Sequence, residues 1–363
     1  MSNSVLITHH DEIEQSFRQF CKNADQSYLL IAGDAASCLR LLPAESIDTV
    51  VTSPPYWNQR EYPHPLAIGS EDSLQAYIAA LLRVFAEVKR VLKSTGSFWL
   101  NLGDTYRDKN LCGVPWRVAI SLQDTQGWIL RNSVVWNKLK GGPDNARDKL
   151  RNVHEFVFHF VKLAEYYYDL DSIRNQPKVA TVQNGRVTTA TGVSGVNYRR
   201  QIEQSPYLTV EEKSDALKAL EGMLEKVARG ELYDFRMVIR GQQRTTHSNS
   251  TKVSGRAAEL EKKGFYILPY HGKGSKPADV WEIIPEDRWR KDDHCAPFPL
   301  ELCTIPIKAT CPRNGIVLDP FAGTGTVIVA ATTLGRRGIG IDISRAYLET
   351  ALSRLVSVQP ELL

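Results

Sequence analysis

The chain of 363 residues is long enough for two domains, or for one α/β domain with a large insertion. Hydrophobic residues make up 42% of it, which allows a substantial core and excludes wholesale disorder. The formal net charge of +4 is compatible with nucleic-acid binding but does not indicate it, because a local basic face matters more than the total.

Cysteine usage and hydropathy indicate the cellular compartment of the protein. The six cysteines include no Cys-x-x-Cys pair and no secretory leader precedes them, so we expect a reduced, cytoplasmic setting. No apolar run approaches the roughly 18 residues that a membrane span needs, and no membrane partner is predicted. His294-Cys295, Cys303 and Cys311 fit no zinc spacing, so buried thiols are favoured over a metal site.

Short apolar strands alternate with helical periodicity in the N-terminal part of the chain. The predicted elements are a strand at 28–32, a helix at 35–42, a strand at 47–51, a helix at 72–92, a strand at 97–102, a helix at 116–126, and strands at 128–136 and 156–162. Ser94-Thr95-Gly96 is expected to stop the long helix. This alternation predicts an α/β fold with a parallel or mixed sheet and helices on both faces.

The stretch 171–290 differs in kind, because it is polar and irregular and rich in Arg, Gln, Asn, Thr and Gly. One clear helix is predicted in it, from the capping box Thr209-x-x-Glu212 to a stop at Gly230. The α/β pattern then resumes with a helix at 298–309, a strand at 316–318, a helix at 326–334 and a strand at 338–341. The chain is therefore divided into 1–170, 171–290 and 291–363.

Two of the predicted strands break into turns that suit a ligand site. The strand at 47–51 leads into Ser53-Pro54-Pro55-Tyr56-Trp57, and the strand at 316–318 leads into Asp319-Pro320-Phe321-Ala322-Gly323-Thr324-Gly325-Thr326. Open α/β sheets bind ligands in the crevice at the carboxyl ends of their strands.

The second of these turns has the features of a cofactor loop. Gly323 and Gly325 allow the backbone to approach a ligand closely, and the helix that follows offers free N–H groups. A tight turn without a ligand and a generic nucleotide loop are the alternatives. A further strand that ends at Asp342 favours a cofactor, because a carboxylate there can accept both hydroxyls of a ribose. The absence of a Gly-Lys-Ser/Thr sequence disfavours an NTPase.

Together the two motifs resemble the amino-methyltransferases that act on DNA bases with S-adenosylmethionine. A Ser-Pro-Pro-Tyr motif that precedes the cofactor motif is typical of the family's permuted beta class. The resemblance implies a Rossmann-like methyltransferase fold with a mixed, mostly parallel sheet. It makes 1–170 the catalytic half, 171–290 an inserted target-recognition region, and 291–363 the cofactor-binding half. It also implies a DNA-associated enzyme of the prokaryotic cytosol.

The resemblance also implies how the cofactor is held. Asp342 would bind the ribose, Asp34 would lie near the adenine, and Phe298 would close over the cofactor. The loop that wraps the methionine and ribose portion would be formed by Asp319, Pro320, Phe321, Ala322, Gly323, Thr324, Gly325 and Thr326.

The first turn suits methyl transfer to an exocyclic amine. The lone pair of such a nitrogen is delocalised into the ring, so acceptors for its hydrogens favour the pyramidal, nucleophilic form. The Ser53 hydroxyl and the Pro54 carbonyl are the predicted acceptors, and Pro54 and Pro55 fix the turn. Tyr56 offers an aromatic face to a base flipped out of the duplex. The roles of Asn101 and Asp104, on the strand that follows, stay open.

Within the family, Ser-Pro-Pro-Tyr implies cytosine-N4 methylation, and Asp-Pro-Pro-Tyr is the usual adenine-N6 form. Adenine-N6 methylation by the same fold, a DNA-binding relative without turnover, and a methyltransferase for RNA or a protein amide remain alternatives. The implied partner is double-stranded DNA, with a cognate restriction endonuclease as a second candidate partner and a dimer as one candidate assembly.

Polar residues of the middle region are candidates for contacts with DNA. Arg side chains read guanine edges, Asn and Gln read adenine, and all of them can hold phosphates. The candidates are Arg236, Arg240, Gln243, Arg244, His247, Asn249, Lys252 and Arg256. An ordinary solvated polar segment is the alternative for each of them, and no target sequence can be read from them.

Overall fold

The computed structural model of the protein describes residues 5–59, 67–140, 145–175, 181–183, 186–188, 195–232, 234–241, 255–270, 273–285 and 299–358. The chain forms two compact units. The sheet unit holds Met1–Ser172 and Ala278–Leu363, and the inserted unit holds Ile173–Pro277. In the described part of the chain, no helix has both the length and the apolar composition needed to cross a membrane.

The helices and strands have the following bounds. In chain order they are β1 (Val5–Ile7), α1 (Ile13–Lys22), β2 (Tyr28–Ala32), α2 (Ala35–Arg40), β3 (Ile47–Thr52), α3 (Leu74–Val91), β4 (Leu92–Leu102), β5 (Tyr106–Arg107), β6 (Asn110–Leu111), α4 (Val114–Gln126), β7 (Ile129–Asn137), β8 (His154–Val161), β9 (Thr181–Gln183), β10 (Arg186–Thr188), α5 (Val196–Gln204), α6 (Val210–Ala228), β11 (Phe235–Ile239), α7 (Gly255–Lys263), β12 (Phe265–Pro269), β13 (Val280–Glu282), α8 (Leu300–Thr310), β14 (Ile316–Asp319), α9 (Thr326–Thr333), β15 (Arg337–Asp342) and α10 (Arg345–Val356).

The sheet unit is built on a nine-stranded sheet with the order β1-β2-β15-β14-β3-β4-β8-β7-β13. Strand β8 runs antiparallel to both of its neighbours, and every other pair is parallel. Helices cover both faces, because alternate residues of β2 enter two different cores. Leu29 and Ile31 pack with residues of α1 to α4, whereas Leu30 packs with residues of α8 to α10. The predicted mixed, mostly parallel α/β sheet is therefore confirmed.

The central strands of the sheet join distant parts of the chain. β14 pairs in parallel with β3, with Leu318 opposite Val50, and β15 pairs with β2. Side chains reinforce the first pair: the Asp48 carboxylate accepts the Ile316 N–H at 2.8 Å, and the Thr49 hydroxyl donates to the Thr310 carbonyl at 2.7 Å. The carboxyl ends of β2, β15, β14, β3 and β4 consequently lie side by side.

Local chemistry explains where the predicted bounds shift. Helix α3 begins after Ser73, whose hydroxyl accepts the Ala76 N–H, so the helix starts later than the predicted residue 72. It ends at Val91, and β4 begins directly at Leu92 rather than at 97, so Ser94-Thr95-Gly96 lies inside a strand. Helix α4 begins at Val114 rather than at 116, because Pro115 suits the first turn of a helix.

The inserted unit has more regular structure than the predicted single helix. Both hydrogen bonds of the predicted capping box at Thr209 are formed, and α6 follows it as expected. Helices α5 and α7 and the antiparallel pairs β9–β10 and β11–β12 were not predicted. The unit has its own core, formed by Ile202, Leu208, Ala216, Leu220, Val227, Phe235, Met237 and Ile239. Periodicity alone missed α5 because Ile202 is the one buried residue of that helix.

Strand β13 lies within the range predicted for the insertion but belongs to the sheet unit. It pairs in parallel with β7, with Trp281 opposite Trp136. Trp281 is buried, and the Trp136 indole donates to the Ile283 carbonyl at 2.8 Å. The chain therefore returns to the sheet at about residue 278, ahead of the predicted boundary at 290.

A core substitution should show how much one aromatic cluster stabilises the sheet unit. Phe98 on β4 is fully buried, and its ring centroid lies 5.0 Å from that of Phe85 and 5.3 Å from that of Trp128. We expect Phe98→Ala to lower the free energy of unfolding by about 3–5 kcal/mol, because it leaves a cavity among rigid rings. Urea unfolding monitored by tryptophan fluorescence measures the loss.

The matched control for that substitution is Ile120→Ala, which truncates a half-exposed residue of α4. We expect the control to change stability by less than about 0.5 kcal/mol. Equal losses in the two variants would contradict the role given to the cluster.

Candidate active site

Five neighbouring parallel strands end in polar residues at one edge of the sheet. Asp34 follows β2, Asp342 ends β15, Asp319 ends β14, Ser53 follows β3, and Asn101 lies at the end of β4. Ser53 and Asp319 belong to the two predicted motifs, and Asp34 and Asp342 were predicted at the ends of two other strands. The strand order brings them onto one row, because the carboxyl ends of adjacent parallel strands share an edge.

A buried hydrogen bond joins the two motifs directly. The Thr52 hydroxyl donates to Asp319 Oδ1 at 2.5 Å, across 267 residues of sequence. Asp319 Oδ1 also accepts the Phe321 N–H at 3.0 Å, and both Thr52 and Asp319 are almost fully buried. The first turn of the glycine loop and the last residue of β3 are therefore held by one carboxylate oxygen.

Burial gives Asp319 an unusual pKa. Desolvation raises the pKa of its carboxyl to about 7, although the bonds from Thr52 and Phe321 favour the anion and lower it. The negative charge of Asp342 also raises the pKa of Asp319, by a smaller amount. A cation placed beside this carboxylate would favour the charged form.

Asp342 fixes the middle of the glycine loop. Its two oxygens accept the N–H of Gly323 at 2.7 Å and the N–H of Ser344 at 2.8 Å. Burial raises the pKa of Asp342, and these two backbone bonds oppose the rise. The Ala322 N–H donates to the Ile341 carbonyl at 2.8 Å, so the loop is bound to the end of β15 at two points.

The two glycines of the loop serve different purposes. Gly323 has a φ of +50°, and a Cβ built on it meets open space. Gly325 has a φ of +78°, and a Cβ there would lie 2.7 Å from the Cβ of Ala351 on α10. Gly323 can therefore face a ligand, whereas Gly325 is required by the packing of α10 against the loop. The sequence had assigned close approach to a ligand to both.

The polar side chains around the loop already have partners within the protein. The Arg354 guanidinium donates to the hydroxyls of Thr324 and Thr326, at 3.1 and 3.2 Å, and to the Thr324 carbonyl at 2.7 Å. Asp34 caps α2, and its Oδ1 accepts both the N–H and the hydroxyl of Ser37, at 2.9 and 2.7 Å. Arg354 was not predicted, since an arginine on an ordinary amphipathic helix gives no local signal.

A second polar network surrounds the Ser-Pro-Pro-Tyr turn. The Ser53 hydroxyl donates to the Tyr56 hydroxyl at 3.2 Å, and the Tyr56 hydroxyl donates to Glu155 Oε2 at 2.6 Å. The Asn101 amide donates to the Tyr56 hydroxyl at 2.8 Å and to Glu155 Oε2 at 2.9 Å. Lys138 forms an ion pair with Glu155 Oε1. Neither Glu155 nor Lys138 was predicted from the sequence.

The Tyr56 ring is held at both its edge and its hydroxyl. Gly103 leaves room for the edge, since a Cβ there would lie 2.7 Å from Tyr56 Cε2. Burial of the hydroxyl, followed by the charge of Glu155, raises the pKa of Tyr56 well above its usual value. The hydroxyl therefore stays protonated as a hydrogen-bond donor. In the same turn, the Tyr77 hydroxyl donates to the Pro55 carbonyl at 2.8 Å.

The structure separates the two residues whose roles the sequence left open. Asp104 Oδ1 accepts the N–H groups of Thr105 and Val114, both at 2.9 Å, and so holds the loop that leads into α4. Asn101 instead belongs to the network around Tyr56.

Comparisons with known proteins identify the family. The family model described as a DNA methylase of the N6/N4 type matches residues 47–353. The chain belongs to this DNA methylase family. Two similar relatives are the Type II methyltransferase M.SfiI of Streptomyces fimbriatus and the Type II methyltransferase M.SmaI of Serratia marcescens. M.SfiI is 31% identical, over 95% of this chain and 94% of its own. M.SmaI is 27% identical, over 98% of this chain and 97% of its own.

Solved structures support the fold of this DNA methylase. The PvuII DNA methyltransferase, described as cytosine-N4-specific, aligns with a TM-score of 0.57 at 16% identity. The alignment covers 93% of this chain and 88% of that one. The predicted methyltransferase fold is confirmed.

S-adenosylmethionine is the cofactor of the methylase, as predicted. The edge of the sheet offers features that fit it. The buried carboxylate of Asp319 and the partly buried carboxylate of Asp342 suit a cationic, hydroxyl-bearing ligand, and the space next to Gly323 is open. Phe298, predicted to close over the cofactor, lies outside the described residues.

Most of the predicted DNA contacts of the methylase cannot be placed. Gln243, Arg244, His247, Asn249 and Lys252 lie outside the described residues, as does the side chain of Arg256 in α7. Arg236 is an exposed residue of β11.

Arg240, a predicted DNA contact, forms hydrogen bonds within the inserted unit. Its guanidinium donates to both oxygens of Glu212 and to the carbonyls of Tyr207, Leu260 and Glu261. These contacts use the five N–H donors that an arginine has.

The charge state of Asp319 leads to a pH-dependent prediction for the protein without cofactor. Its folded pKa of about 7 lies above the ordinary aspartate pKa of 3.8, so the stabilisation that the protonated carboxyl gives is complete below about pH 3.8 and is lost as pH rises through about 7. Asp319→Asn keeps an oxygen that can accept from both Thr52 and Phe321. We expect D319N to be more stable than wild type at pH 8, by a few kcal/mol, since each pKa unit corresponds to about 1.4 kcal/mol. Thermal unfolding at pH 5 and pH 8 measures the difference, which should shrink at pH 5.

The control for this prediction is Thr52→Val, which removes the hydroxyl that favours the Asp319 anion. It should lower stability more at pH 8 than at pH 5. If the stability of D319N relative to wild type were independent of pH, the raised pKa would be contradicted.

Proposed function

We propose that the methylase transfers a methyl group to the exocyclic N4 amine of a cytosine that is flipped out of duplex DNA at a specific sequence. We propose further that it protects DNA as the partner of a restriction endonuclease. The observation that carries the proposal is the hydrogen bond from Thr52 to Asp319, which sets the Ser-Pro-Pro-Tyr turn beside the glycine loop. A methyl donor held by the loop and a base held by the turn would then be neighbours.

The proposed cofactor contacts come from the ends of three adjacent strands. Asp342 would accept hydrogen bonds from the ribose, and Asp34 would lie near the adenine. The main chain from Asp319 to Thr326 would enclose the methionine portion, with Gly323 facing it. Thr324 and Thr326 would act through their backbone, because their hydroxyls hold Arg354. When bound, S-adenosylmethionine supplies an electrophilic methyl group on a positively charged sulfur.

The proposed contacts with the base come from the rigid turn. Ser53 Oγ and the Pro54 carbonyl would accept the two hydrogens of the amine and so favour its nucleophilic form. The Tyr56 ring would stack on the extruded base, and its position is fixed by Glu155 and Gly103. Two prolines and the bond from Tyr77 to Pro55 keep the turn from rearranging.

Cytosine is favoured over adenine by the first residue of the turn. Ser53 presents a neutral hydroxyl where the usual adenine-N6 motif presents an aspartate. The cytosine-N4 specificity named for the PvuII enzyme, which shares the fold, agrees with this choice. The Type II names of M.SfiI and M.SmaI support a place in restriction–modification. The inserted unit, with Arg236 exposed, is proposed to read the target sequence.

Analysis of the modified nucleoside tests the proposed base. The protein is incubated with radiolabelled S-adenosylmethionine and plasmid DNA from a host without DNA methyltransferases, and the DNA is then digested to nucleosides. We expect the label in N4-methylcytosine, and label in N6-methyladenine alone would contradict the cytosine proposal. Ser53→Ala should lower the incorporation by about 10²-fold or more, since it removes a proposed amine acceptor. Ser46→Ala, at an exposed hydroxyl before β3, should leave it unchanged.

The cofactor contacts are tested by a substitution at the end of β15. Asp342→Ala removes the acceptor of the Gly323 N–H and the proposed ribose acceptor together. We expect the dissociation constant for S-adenosylmethionine to rise by at least about tenfold, because hydrogen bonds to a charged group contribute about 1.5–3 kcal/mol. Isothermal calorimetry measures it. Glu349→Ala, which breaks an exposed ion pair with Arg345 on α10, is the control. Unchanged affinity in D342A would exclude the ribose role.

A further inference from the structure

Glu155 is a buried carboxylate that the proposed contacts with base and cofactor do not use. It comes from β8, the antiparallel strand next to β4, and is only 8% exposed. Tyr56 and Asn101 donate to one of its oxygens, and Lys138 pairs with the other. Because three groups donate to the Glu155 carboxylate, it is held in one position, with its Oε2 2.6 Å from the Tyr56 hydroxyl oxygen.

The hydrogen bonds from Ser53 to Glu155 run in one direction. The Glu155 carboxylate is paired with Lys138 and can only accept, so the Tyr56 hydroxyl must give its proton to it. The Ser53 hydroxyl must in turn donate to the Tyr56 oxygen. Each hydroxyl has one proton and two lone pairs. The Asn101 amide donates to Ser53 Oγ at 3.3 Å, and to Tyr56 and Glu155 at shorter distances. Ser53 Oγ is therefore left with one lone pair to accept a hydrogen from outside the chain.

We propose that Glu155 accepts the proton that the target amine loses on methylation, through a relay of the Ser53 and Tyr56 hydroxyls. The inference rests on the proposed function, since Ser53 must face the amine. Glu155 does not touch the base and acts through the two hydroxyls between them.

Methyl transfer and the proton relay together conserve atoms and charge. The amine nitrogen forms a bond to the methyl carbon as the bond from that carbon to sulfur breaks, which leaves the nitrogen with a positive charge and one proton too many. That proton moves to Ser53 Oγ, the Ser53 proton moves to Tyr56 Oη, and the Tyr56 proton moves to Glu155 Oε2. Both hydroxyls end neutral, the amine ends neutral, and Glu155 becomes a carboxylic acid.

The surroundings favour a concerted transfer over a stepwise one. Tyr56 resists ionisation, because burial and the charge of Glu155 raise the pKa of its hydroxyl. Its oxygen must therefore receive one proton as it gives up the other. Lys138 is partly exposed, with 27% of its side chain accessible, so the carboxyl group lies next to a route to solvent for the returned proton.

A double-mutant cycle tests the relay. Glu155→Gln removes the acceptor with little change of shape, and Tyr56→Phe removes the middle link but keeps the ring for stacking. Single-turnover methylation is measured with enzyme in excess over sites on unmethylated plasmid DNA. We expect each variant to be about 10²-fold slower, the size of a general-base contribution, and the double variant to be no slower than either single one.

Two results would overturn the relay. One is an E155Q rate within about threefold of the wild-type rate. The other is a double variant slower by about 10⁴-fold, the product of two independent effects. Asp48→Asn is the matched control, because Asp48 is also a poorly exposed carboxylate that is paired with a lysine, Lys93, and accepts a backbone N–H at the other end of β3. D48N should methylate at nearly the wild-type rate.

Two further measurements separate the relay from a loss of structure or of the proposed function. In protein labelled with ¹³C at the tyrosine ζ carbon, the Tyr56 resonance, assigned by its absence in Y56F, should shift in E155Q and remain in place in D48N. The dissociation constant for S-adenosylmethionine should be unchanged in E155Q. If wild type incorporates methyl groups and the cycle is multiplicative, the relay alone fails. If wild type incorporates none, the proposed function fails and the relay fails with it.

Discussion

The hydrogen bond between Thr52 and Asp319 connects two turns that the chain forms 267 residues apart. It exists because β14 enters the sheet beside β3, in parallel and in register, so that both strands end at the same edge. Either turn alone would be an ordinary break after a strand. With both turns held by one buried oxygen, the Ser-Pro-Pro-Tyr motif and the glycine loop lie side by side. The relative position of the two motifs is thus a property of strand pairing and of one carboxylate.

The two sides of this bond differ in their electrostatics. On the side of β15 and β14, neither the buried Asp319 nor the partly buried Asp342 forms an ion pair with a described side chain, and burial raises the pKa of each. On the side of β3, β4 and β8, the carboxylate of Glu155 is paired with Lys138 and saturated by Tyr56 and Asn101. The first side can therefore accept a cation. On the second side the charge of Glu155 is already balanced by Lys138, and Ser53 Oγ is an acceptor left for a ligand. A positively charged methyl donor suits the first environment, and the neutral amine of the proposed base suits the second.

The sequence predicted the parts of the site that are encoded locally. The bounds of β2, β3, β14 and β15 were predicted to within one residue, because each carries apolar residues up to a polar or glycine-rich turn. Glu155 and Lys138 could not be read, because their role depends on the antiparallel pairing of β7 with β8 and of β8 with β4. A charged residue at the end of a strand looks the same whether it faces solvent or a tyrosine. The packing constraint on Gly325 could not be read for a related reason, since it comes from Ala351 on a distant helix.

The order of strands in the sheet has a consequence for how the molecule is made. β2 and β3 are produced early, yet in the finished sheet they are separated by β14 and β15. While the ribosome is still adding the later residues, the nascent polypeptide has a two-strand gap in the middle of its sheet, flanked by unpaired apolar edges. Closing that gap is a long-range event and is slow compared with local helix formation. The edge at which the two motifs meet cannot exist before the gap closes, so a newly synthesised copy brings the two motifs together and completes its core in the same step.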